Sequence, residues 1–287
     1  MANTKEVRKQ IASIKSTQKI TSAMEMVAAS KMKRTQDLMM VGRPYSNKIQ
    51  EVISHIATSN SEHSHPFYED RTVKKACFIV VSTDKGLCGG LNINLFKSIV
   101  AKAAEFITNG IDSSFALIGL KASAFFQSVG GEVVATADKL GDQPNPEDLI
   151  GLTKVVLDLH KNQDVDEVYL CSNRFVNTMT QQPTITQLIP LPAIEDENLV
   201  NTHWDYIYEP EAAELLDGLL TRYIEALIYQ AVVENNACEQ AAKMIAMKNA
   251  SENAGDLIKE LELLYNNVRQ AAITQELSEI VGGAAAV

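Results

Sequence analysis

The segment 210–287 carries the most regular hydrophobic pattern in the chain. Apolar residues recur there at strictly alternating spacings of three and four, at Met247, Ala250, Ala254, Leu257, Leu261, Leu264, Val268 and Ala271. This spacing is typical of a coiled-coil seam on one face of a long helix. Pro210 suits the first turn of such a helix, and no proline follows it in the sequence. We therefore predict a C-terminal coiled-coil helix over 210–287.

The start of the chain predicts a second long helix with a less regular face. Its apolar positions form two stripes, the first of Val7, Ile11 and Ile14 and the second of Ile20, Met24 and Val27. Gly42 and Pro44 are expected to kink or interrupt this helix before the apolar pattern resumes at 49–56. We predict an N-terminal coiled-coil helix over 1–58, and we expect its seam to be apolar along only part of its length.

The region between these helices alternates short β-branched runs with helical stretches. Strands are predicted at 76–83, 115–119, 167–172 and 185–191, and helices at 93–108, 121–128 and 147–161. All eight phenylalanines lie between Phe67 and Phe175, so this region holds the material for a globular core. The alternation predicts a central Rossmann-like α/β domain over 70–200, with a mostly parallel sheet that is covered on both faces.

The lengths of the two terminal helices indicate that they lie together. They span about 75 Å and about 115 Å, whereas a domain of this size is only about 40 Å across. Residues 1–50 hold ten Lys or Arg against three Asp or Glu, while residues 210–287 hold five against twelve. Opposite charge and opposite chain direction predict an antiparallel coiled coil. The C-terminal helix has an apolar tip without charge after Glu279, which another protein should enclose.

Composition excludes several classes of protein. Hydrophobic residues make up 46% of the chain and charged residues 22%, which excludes wholesale disorder. No window of about 18 apolar residues predicts a transmembrane helix. A net charge of −10, and a basic N-terminus without interleaved aromatic residues, argue against nucleic-acid binding. The N-terminus resembles a transit peptide in charge, but its helical pattern continues beyond Arg34 and includes carboxylates, so we reject that interpretation.

Four features could carry chemistry, and each has a simpler explanation. The loop 84–90 (DKGLCGG) follows a strand and precedes a helix, but it lacks both phosphate-loop spacings, so a tight turn is favoured. His63 and His65 have no third fixed metal ligand. The four scattered cysteines are predicted to be reduced, buried thiols, and the glycosylation sequon at Asn249 lies inside the predicted seam. The sequence therefore predicts no catalytic site, cofactor or metal in this chain.

Three sequence blocks stand in a distinctive order. They are 11–31 (IASIKSTQKITSAMEMVAASK), 82–92 (STDKGLCGGLN) and 273–284 (ITQELSEIVGGA). Together they closely resemble the γ-subunit family of bacterial F-type ATP synthases, and the last block matches the family signature I/V-T-x-E-x-x-D/E-x-x-x-G-A at every position. The resemblance covers the whole chain. The cysteine-bearing regulatory insert of chloroplast members is missing, so thiol control of that kind is not expected.

The resemblance implies a rotor subunit without a catalytic site of its own. In that family the two terminal helices form an antiparallel coiled coil inside a ring of α and β subunits, which bind the nucleotides. The central domain lies beside the ε subunit and the membrane ring of c subunits. Proton flow turns the c ring and the γ subunit with it, which drives ATP synthesis at the β subunits; hydrolysis reverses the rotation. The resemblance thus implies a peripheral protein on the cytoplasmic face of a bacterial inner membrane that also regulates ATPase activity and proton flow.

The resemblance also implies residues that contact partners or couple rotation to catalysis. Met24 matches the segment that passes an acidic loop of a β subunit. A polar set on the C-terminal helix matches positions linked to coupling: Lys243, Arg269, Gln270, Thr274 and Glu276. Another set matches the foot near the ε subunit and the c ring, although it could equally form a helix-entry motif: Tyr206, Tyr208 and Glu209.

Two other interpretations of the sequence stay open. The chain could be an α/β enzyme that binds a nucleotide or metabolite, in which case altering Gly89 should abolish nucleotide binding by the isolated chain. It could instead be a coiled-coil tether or scaffold, which would self-associate and bind no ATP synthase subunit. Neither interpretation explains the uncharged tip of the C-terminal helix.

Overall fold

The computed structural model describes residues 4–59, 65–69, 71–191 and 212–285. The chain divides into two compact units, one of residues 1–29 with 243–287 and the other of residues 30–242. Two long helices, α1 (Thr4–Ser59) and α5 (Ala212–Ala285), contribute residues to both units. The predicted long helices at the two ends of the chain are therefore confirmed.

The first unit is an antiparallel pair of helical segments. Lys15 of α1 forms an ion pair with Glu262 of α5 at 2.8 Å, and the Gln18 side-chain amide donates to the carbonyl oxygen of Ser251 at 3.3 Å. Rising numbers on α1 thus meet falling numbers on α5, as an antiparallel pair requires. Gly255 leaves room for Gln18, because a Cβ atom there would lie 3.1 Å from the Gln18 amide nitrogen.

The seam of α1 keeps one register where the sequence predicted two stripes. Its buried and half-buried positions continue the first stripe at alternating spacings: Val7, Ile11, Ile14, Gln18, Thr21, Glu25 and Ala28. The second stripe is wrong in part, since Ile20 and Val27 are exposed and only Met24 is half-buried. Polar Gln18, Thr21 and Glu25 occupy the seam instead, so it is apolar along only part of its length, as expected.

The seam of α5 departs from the predicted one at every other position of its second half. Met247 and Ala254 are buried as predicted, and Leu261 and Val268 are half-buried as predicted, but Leu257 is 48% exposed and Leu264 is 43% exposed. The seam residues there are one position later: Ile258, Tyr265 and Ala272 in place of Leu257, Leu264 and Ala271. Pairs of adjacent apolar residues fit either spacing in the sequence, and packing against the partner helix decides between them.

The sequence predicted a kink or an interruption near Gly42 and Pro44, and the interruption is wrong, since α1 continues through both residues to Ser59. A proline inside a helix removes one hydrogen bond of the ladder, which a helix held by tertiary contacts can tolerate. Ile49, beyond the proline, is buried in the core of the second unit. Along the described part of the chain, no helix combines the length and apolar character needed to cross a membrane.

The second unit contains a five-stranded, mostly parallel sheet. Its strands are β1 (Lys75–Val81), β2 (Asp112–Ile118), β3 (Glu132–Ala137), β4 (Glu167–Phe175) and β5 (Gln181–Ile189). Their order is β3-β2-β1-β4-β5, with β5 antiparallel to β4 and the other pairs parallel. The predicted α/β fold is therefore confirmed. The sequence analysis missed β3, a short edge strand whose side chains are at most half-buried and whose apolar residues do not alternate with polar ones.

Helices cover both faces of this sheet, as predicted. On one face α2 (Leu91–Thr108) and α3 (Leu120–Val129) enclose a cluster that includes Phe78, Phe96, Phe115 and Phe126. On the other face α4 (Glu147–Lys161) and residues 220–232 of α5 enclose a second cluster around Ile79 and Val81. Alternate residues of β1 thus point into two different cores, and all its residues from 76 to 81 are fully buried.

Candidate functional site

The loop between β1 and α2 was the strongest candidate for a phosphate site. The Asp84 carboxylate accepts hydrogen bonds from the backbone N–H of Leu120, at 3.1 Å, and of Lys139, at 3.2 Å. Leu120 is the first residue of α3, so a carboxylate of the chain itself caps the N-terminus of that neighbouring helix. Asp84 therefore joins the ends of three strands, β1, β2 and β3.

The remaining polar groups of this loop also bond to one another. The Asn92 amide donates to the Thr83 hydroxyl at 2.7 Å, and that hydroxyl donates to the Lys85 carbonyl oxygen at 2.6 Å. Gly119, which follows β2, has φ +92°, and a Cβ atom there would lie 2.5 Å from the Ser82 carbonyl oxygen. The block 82–92 and its surroundings thus form a tightly built turn, which supports a structural role for these residues.

The four cysteines are free and buried. Cys88 and Cys238 pack in one small cluster with Leu91. Burial raises the pKa of Cys77 to about 11 and also raises the pKa of Cys171 and of Cys238. These three thiols are therefore protonated at neutral pH and are poor nucleophiles.

His65 belongs to a network of side chains in the second unit. Its Nδ1 atom accepts a hydrogen bond from the Phe67 N–H at 3.2 Å, and its Nε2 atom lies 3.3 Å from the Asp217 carboxylate, which also binds Lys161. Burial lowers the pKa of His65. His63 lies outside the described residues, and within those residues no group of three His, Cys, Asp or Glu side chains is placed to hold a metal ion.

Most of the residues that the family resemblance assigned to partner contacts lie in the first unit. Met24 and Lys243 are half-buried. Gln18 meets Ser251, so six residues further along α1 correspond to six residues earlier on α5, which brings Met24 level with Ile245, two residues from Lys243. Arg269, Gln270, Thr274 and Glu276 are exposed on two turns of α5. Tyr206, Tyr208 and Glu209 lie outside the described residues.

The polar residues near the tip of α5 bond along their own helix. The Thr274 hydroxyl donates to the Gln270 carbonyl oxygen at 2.9 Å, and the Ser278 hydroxyl donates to the Thr274 carbonyl oxygen at 2.9 Å. These bonds engage the hydroxyl protons of Thr274 and Ser278 within the helix.

Sequence reasoning underestimated the apolar surface of the first unit. Large apolar side chains that face away from the seam are exposed on both helices: Ile20, Met26, Val27, Leu257, Leu263, Leu264, Ile273, Leu277, Ile280 and Val281. We call this set the outer apolar surface. Exposed apolar residues in such number mark a surface that a partner covers. The signal was present in the sequence as apolar residues outside a single seam, but four of the ten had been assigned to predicted stripes or the seam: Ile20, Val27, Leu257 and Leu264.

Comparison with known proteins gives a consistent relationship. The sequence model of a family described as ATP synthase matches residues 3–287. The fold is similar to a chain in the central stalk and c ring of the Tetrahymena thermophila mitochondrial ATP synthase, with 25% identity, a TM-score of 0.61, and coverage of 81% of this chain and 99% of that one.

Two chains of Euglena gracilis mitochondrial ATP synthase have a similar fold. One, from the assembly of OSCP, F1 and c ring, shares 18% identity at a TM-score of 0.65 and covers 99% of this chain and 94% of its own. The other, from the rotor, shares 17% identity at a TM-score of 0.62 and covers 94% of this chain and 98% of its own. The family match spans nearly the entire sequence, and the chain therefore belongs to the γ-chain family of ATP synthase.

Proposed function

We propose that this chain is the central rotor shaft of an F-type ATP synthase. In this role it couples proton flow through a ring of c subunits to ATP synthesis, or hydrolysis, at the catalytic β subunits of an αβ ring. The main support for the proposal is the outer apolar surface, which lies on an antiparallel pair of helices. The chain that presents this surface is a member of the ATP synthase family.

The outer apolar surface suits a shaft that turns inside a sleeve. Burying a Leu, Ile or Met side chain contributes about 1.5–3 kcal/mol relative to leaving it in water, so the exposed set favours an enclosing partner. Apolar contacts have no fixed direction, so a shaft that uses them can pass through many angles without breaking strong bonds. The tip of α5 has this character, since Leu277, Ile280 and Val281 are exposed there.

The basic segment of α1 gives the shaft a second kind of contact. Lys19, Lys33 and Arg34 are exposed along the helix, within ten residues of Met24 in the sequence. We propose that this segment passes an acidic loop of a β subunit, where screened charge attraction guides the contact without locking it. Thr274 and Glu276, exposed on α5, are proposed to hydrogen-bond to the surrounding ring, together with Lys243, Arg269 and Gln270.

The second unit is proposed to form the foot of the shaft. There it would contact the ε subunit and the c ring, with Tyr206, Tyr208 and Glu209 at that junction. The proposed location is the cytoplasmic face of a bacterial inner membrane, where the chain is a peripheral subunit. The three-part division into 1–58, 70–200 and 210–287 remains part of this proposal.

The chain is proposed to carry no catalytic site, and ATP is proposed to bind to the partner subunits. Two features of the second unit support this: Asp84 holds the N-terminus of α3, and burial keeps the thiols of Cys77, Cys171 and Cys238 protonated. The same features disfavour a nucleotide-binding α/β enzyme. An unrelated scaffold is disfavoured by the family match over residues 3–287.

Reconstitution tests the proposal. The purified chain is mixed with α and β subunits of a bacterial F-type ATP synthase, and the assembly is isolated by size exclusion and assayed for ATP hydrolysis. We expect a stable complex with one copy of this chain and ATPase activity well above that of the α and β subunits alone. Calorimetry should detect no micromolar ATP binding to the isolated chain. Failure to co-purify, or tight ATP binding by the chain alone, would contradict the proposal.

A further inference from the structure

A groove on the second unit is not used by the proposed rotor function. It lies between α2 and α3, beside the loop that follows β1, and has a volume of about 810 Å³. Ile93, Val100 and Phe125 contribute apolar surface, and Ala104 and Ala124 are also part of the lining. Ile93 is 58% exposed and Val100 is 41% exposed, so large apolar side chains face solvent there.

Helix α2 has an apolar stripe on each of two faces. Leu95, Ile99 and Phe106 point into the core beneath the sheet. On the outer face Ile93, Lys97, Val100, Ala104 and Ile107 follow one another at spacings of four, three, four and three, and the first four line the groove. A surface helix normally presents polar residues opposite its core face. Two apolar faces are typical of a helix that lies between two packed layers.

The shape of the groove favours an α-helix as the second layer. Spacings that alternate between three and four are those by which one helix packs against another. The outer stripe, from Ile93 to Ile107, extends over about 21 Å, or four helical turns. Ala101, Ala104 and Ala124 line the groove, and such small side chains allow the backbone of another helix to approach closely.

The charge of the groove specifies the partner further. Among the described residues that line it, the charged side chains are Lys97 and Lys121, on opposite helices, and no carboxylate lines it. A helix that lies between these two lysines binds more tightly if Asp or Glu residues flank its apolar stripe. Lys or Arg residues at the same positions weaken its binding.

We infer that this groove docks an amphipathic, acid-flanked α-helix of about four turns from a partner protein. The helix places its apolar stripe against Ile93, Val100 and Ala104, and its carboxylates pair with Lys97 and Lys121. This site is separate from the outer apolar surface of the first unit. The inference does not depend on the rotor function, because the groove is complete within the second unit.

The experiment uses the full-length chain and two designed peptide probes. Both are fluorescein-labelled, hydrocarbon-stapled 16-residue helices with Leu and Ala at the same stripe positions, and they differ only in Glu or Lys at the flanking positions. Binding is measured by fluorescence anisotropy. We expect the Glu peptide to bind at least tenfold more tightly than the Lys peptide, and Val100→Asp to weaken its binding at least tenfold.

Two further variants make the test specific. Met179→Asp alters an exposed apolar side chain in the β4–β5 turn, away from the groove, and should leave peptide binding unchanged. The double variant Lys97→Glu with Lys121→Glu should reverse the preference, so that the Lys peptide binds more tightly. Circular dichroism shows whether Val100→Asp lowers the melting temperature of the chain. If it does, the charge-reversed double variant replaces Val100→Asp as the deciding variant.

Several results would overturn the inference. They are equal binding of the two peptides, equal effects of Val100→Asp and Met179→Asp, or a preference that survives the charge reversal. Sedimentation of the chain with phosphatidylglycerol vesicles tests a lipid ligand. If those vesicles bind in a Val100→Asp-sensitive manner while neither peptide binds, the groove holds lipid and the inference is wrong. A Val100→Asp-sensitive dimer of the chain itself would contradict it equally.

Discussion

The two units of this chain differ in how much of their apolar surface they bury. In the second unit the side chains of β1 pack alternately into two cores, and its residues from 76 to 81 are fully buried. In the first unit a single seam, with Gln18 and Glu25 in it, joins two helical segments, and large apolar side chains remain on the outside. The comparison indicates that the sheet domain is stable through its own packing, whereas the helix pair depends on surfaces that other chains supply.

The difference extends to polar contacts. The sheet domain uses buried hydrogen bonds, such as that of Asn173 to Asn235 at 2.9 Å. The helix pair uses the ion pair of Lys15 and Glu262, whose side chains are both about half exposed, and such a pair contributes at most about 1 kcal/mol. Weak and exposed contacts are compatible with a surface that must exchange partners during rotation.

The largest expected effect is on the folding of the sheet domain. Phe78 is fully buried and packs against Phe106, Phe115 and Tyr169. Phe78→Ala should lower the free energy of unfolding by about 3–5 kcal/mol because it leaves a cavity. Leu264→Ala on the helix pair is the matched control, and it should cost less than about 1 kcal/mol. Urea denaturation followed by circular dichroism measures both. An equal loss of unfolding free energy in the two variants would contradict the difference in packing between the two units.

The tip of α5 should show the opposite behaviour. Ile280→Asp with Val281→Asp alters two exposed side chains, so the isolated chain should keep its melting temperature. In the complex the new carboxylates would be buried without partners, which costs several kcal/mol, and assembly with the α and β subunits should weaken at least a hundredfold. Removing residues 284–287 should be tolerated. If that truncation abolishes assembly while the double Asp variant assembles normally, an apolar sleeve is the wrong description.

Met24→Lys tests the proposed contact between the basic segment of α1 and an acidic loop of a β subunit. A new cation beside an acidic β-subunit loop should add a charge-assisted hydrogen bond, stabilising one rotational position by about 1.5–3 kcal/mol. Assembly should be retained, and proton pumping per ATP hydrolysed should fall in reconstituted vesicles. Met24→Leu is the matched control and should pump normally. Normal pumping by Met24→Lys would place this residue away from the coupling contact.

Asp84→Asn tests the structural explanation of the loop after β1. Loss of the charged acceptor for the Leu120 and Lys139 N–H groups should cost about 1–2 kcal/mol of stability. Asp138→Asn, an exposed change close by, should cost almost nothing. Thermal unfolding compares them. If Asp84→Asn leaves stability unchanged but alters nucleotide binding by the chain, the loop has the binding role assigned here to the partner subunits.

The smallest effect concerns pH. Burial lowers the pKa of His160, whose ring contacts the Val165 carbonyl oxygen, and of His65. Since the unfolded chain then binds more protons than the folded one below pH 6.5, the free energy of unfolding should fall as the pH drops from 7 towards 5. His160→Gln should make this slope shallower. Urea midpoints across that pH range provide the measurement, and a midpoint that rises on acidification would have the wrong sign.

The sequence predicted most of the fold because its signals were strong and local. Strand β1 and helix α4 were found within one residue or less of their observed starts, since β-branched runs and clear helix boundaries define them. Strand β3 was missed because it is short and its apolar residues, Val133, Val134, Ala135 and Ala137, do not alternate regularly with polar ones. Alternate seam positions of α5 were placed one residue too early, because Leu257 beside Ile258 and Leu264 beside Tyr265 fit the apolar spacing equally well.

The candidate sites were less predictable than the fold. The blocks at 11–31, 82–92 and 273–284 indicated the family, but block 82–92 alone could not distinguish a turn from a phosphate loop. That distinction required the Asp84 contact with Leu120 and Lys139, which lie far away in sequence. The groove beside α2 was not predicted either, since Ile93 and Val100 resemble core residues until the opposite face of the helix is placed. The assigned roles of Met24, Lys243 and Thr274 stay predictions.

Single-molecule rotation tests the central claim most directly. All four native cysteines are buried, so Met179→Cys, at an exposed turn of the second unit, provides a selective attachment point for a gold particle. The labelled chain is assembled with surface-immobilised α and β subunits and supplied with ATP. The account predicts continuous rotation in one direction that stops when ATP is removed. A complex that assembles and hydrolyses ATP at the full rate while the particle shows no net rotation would contradict it.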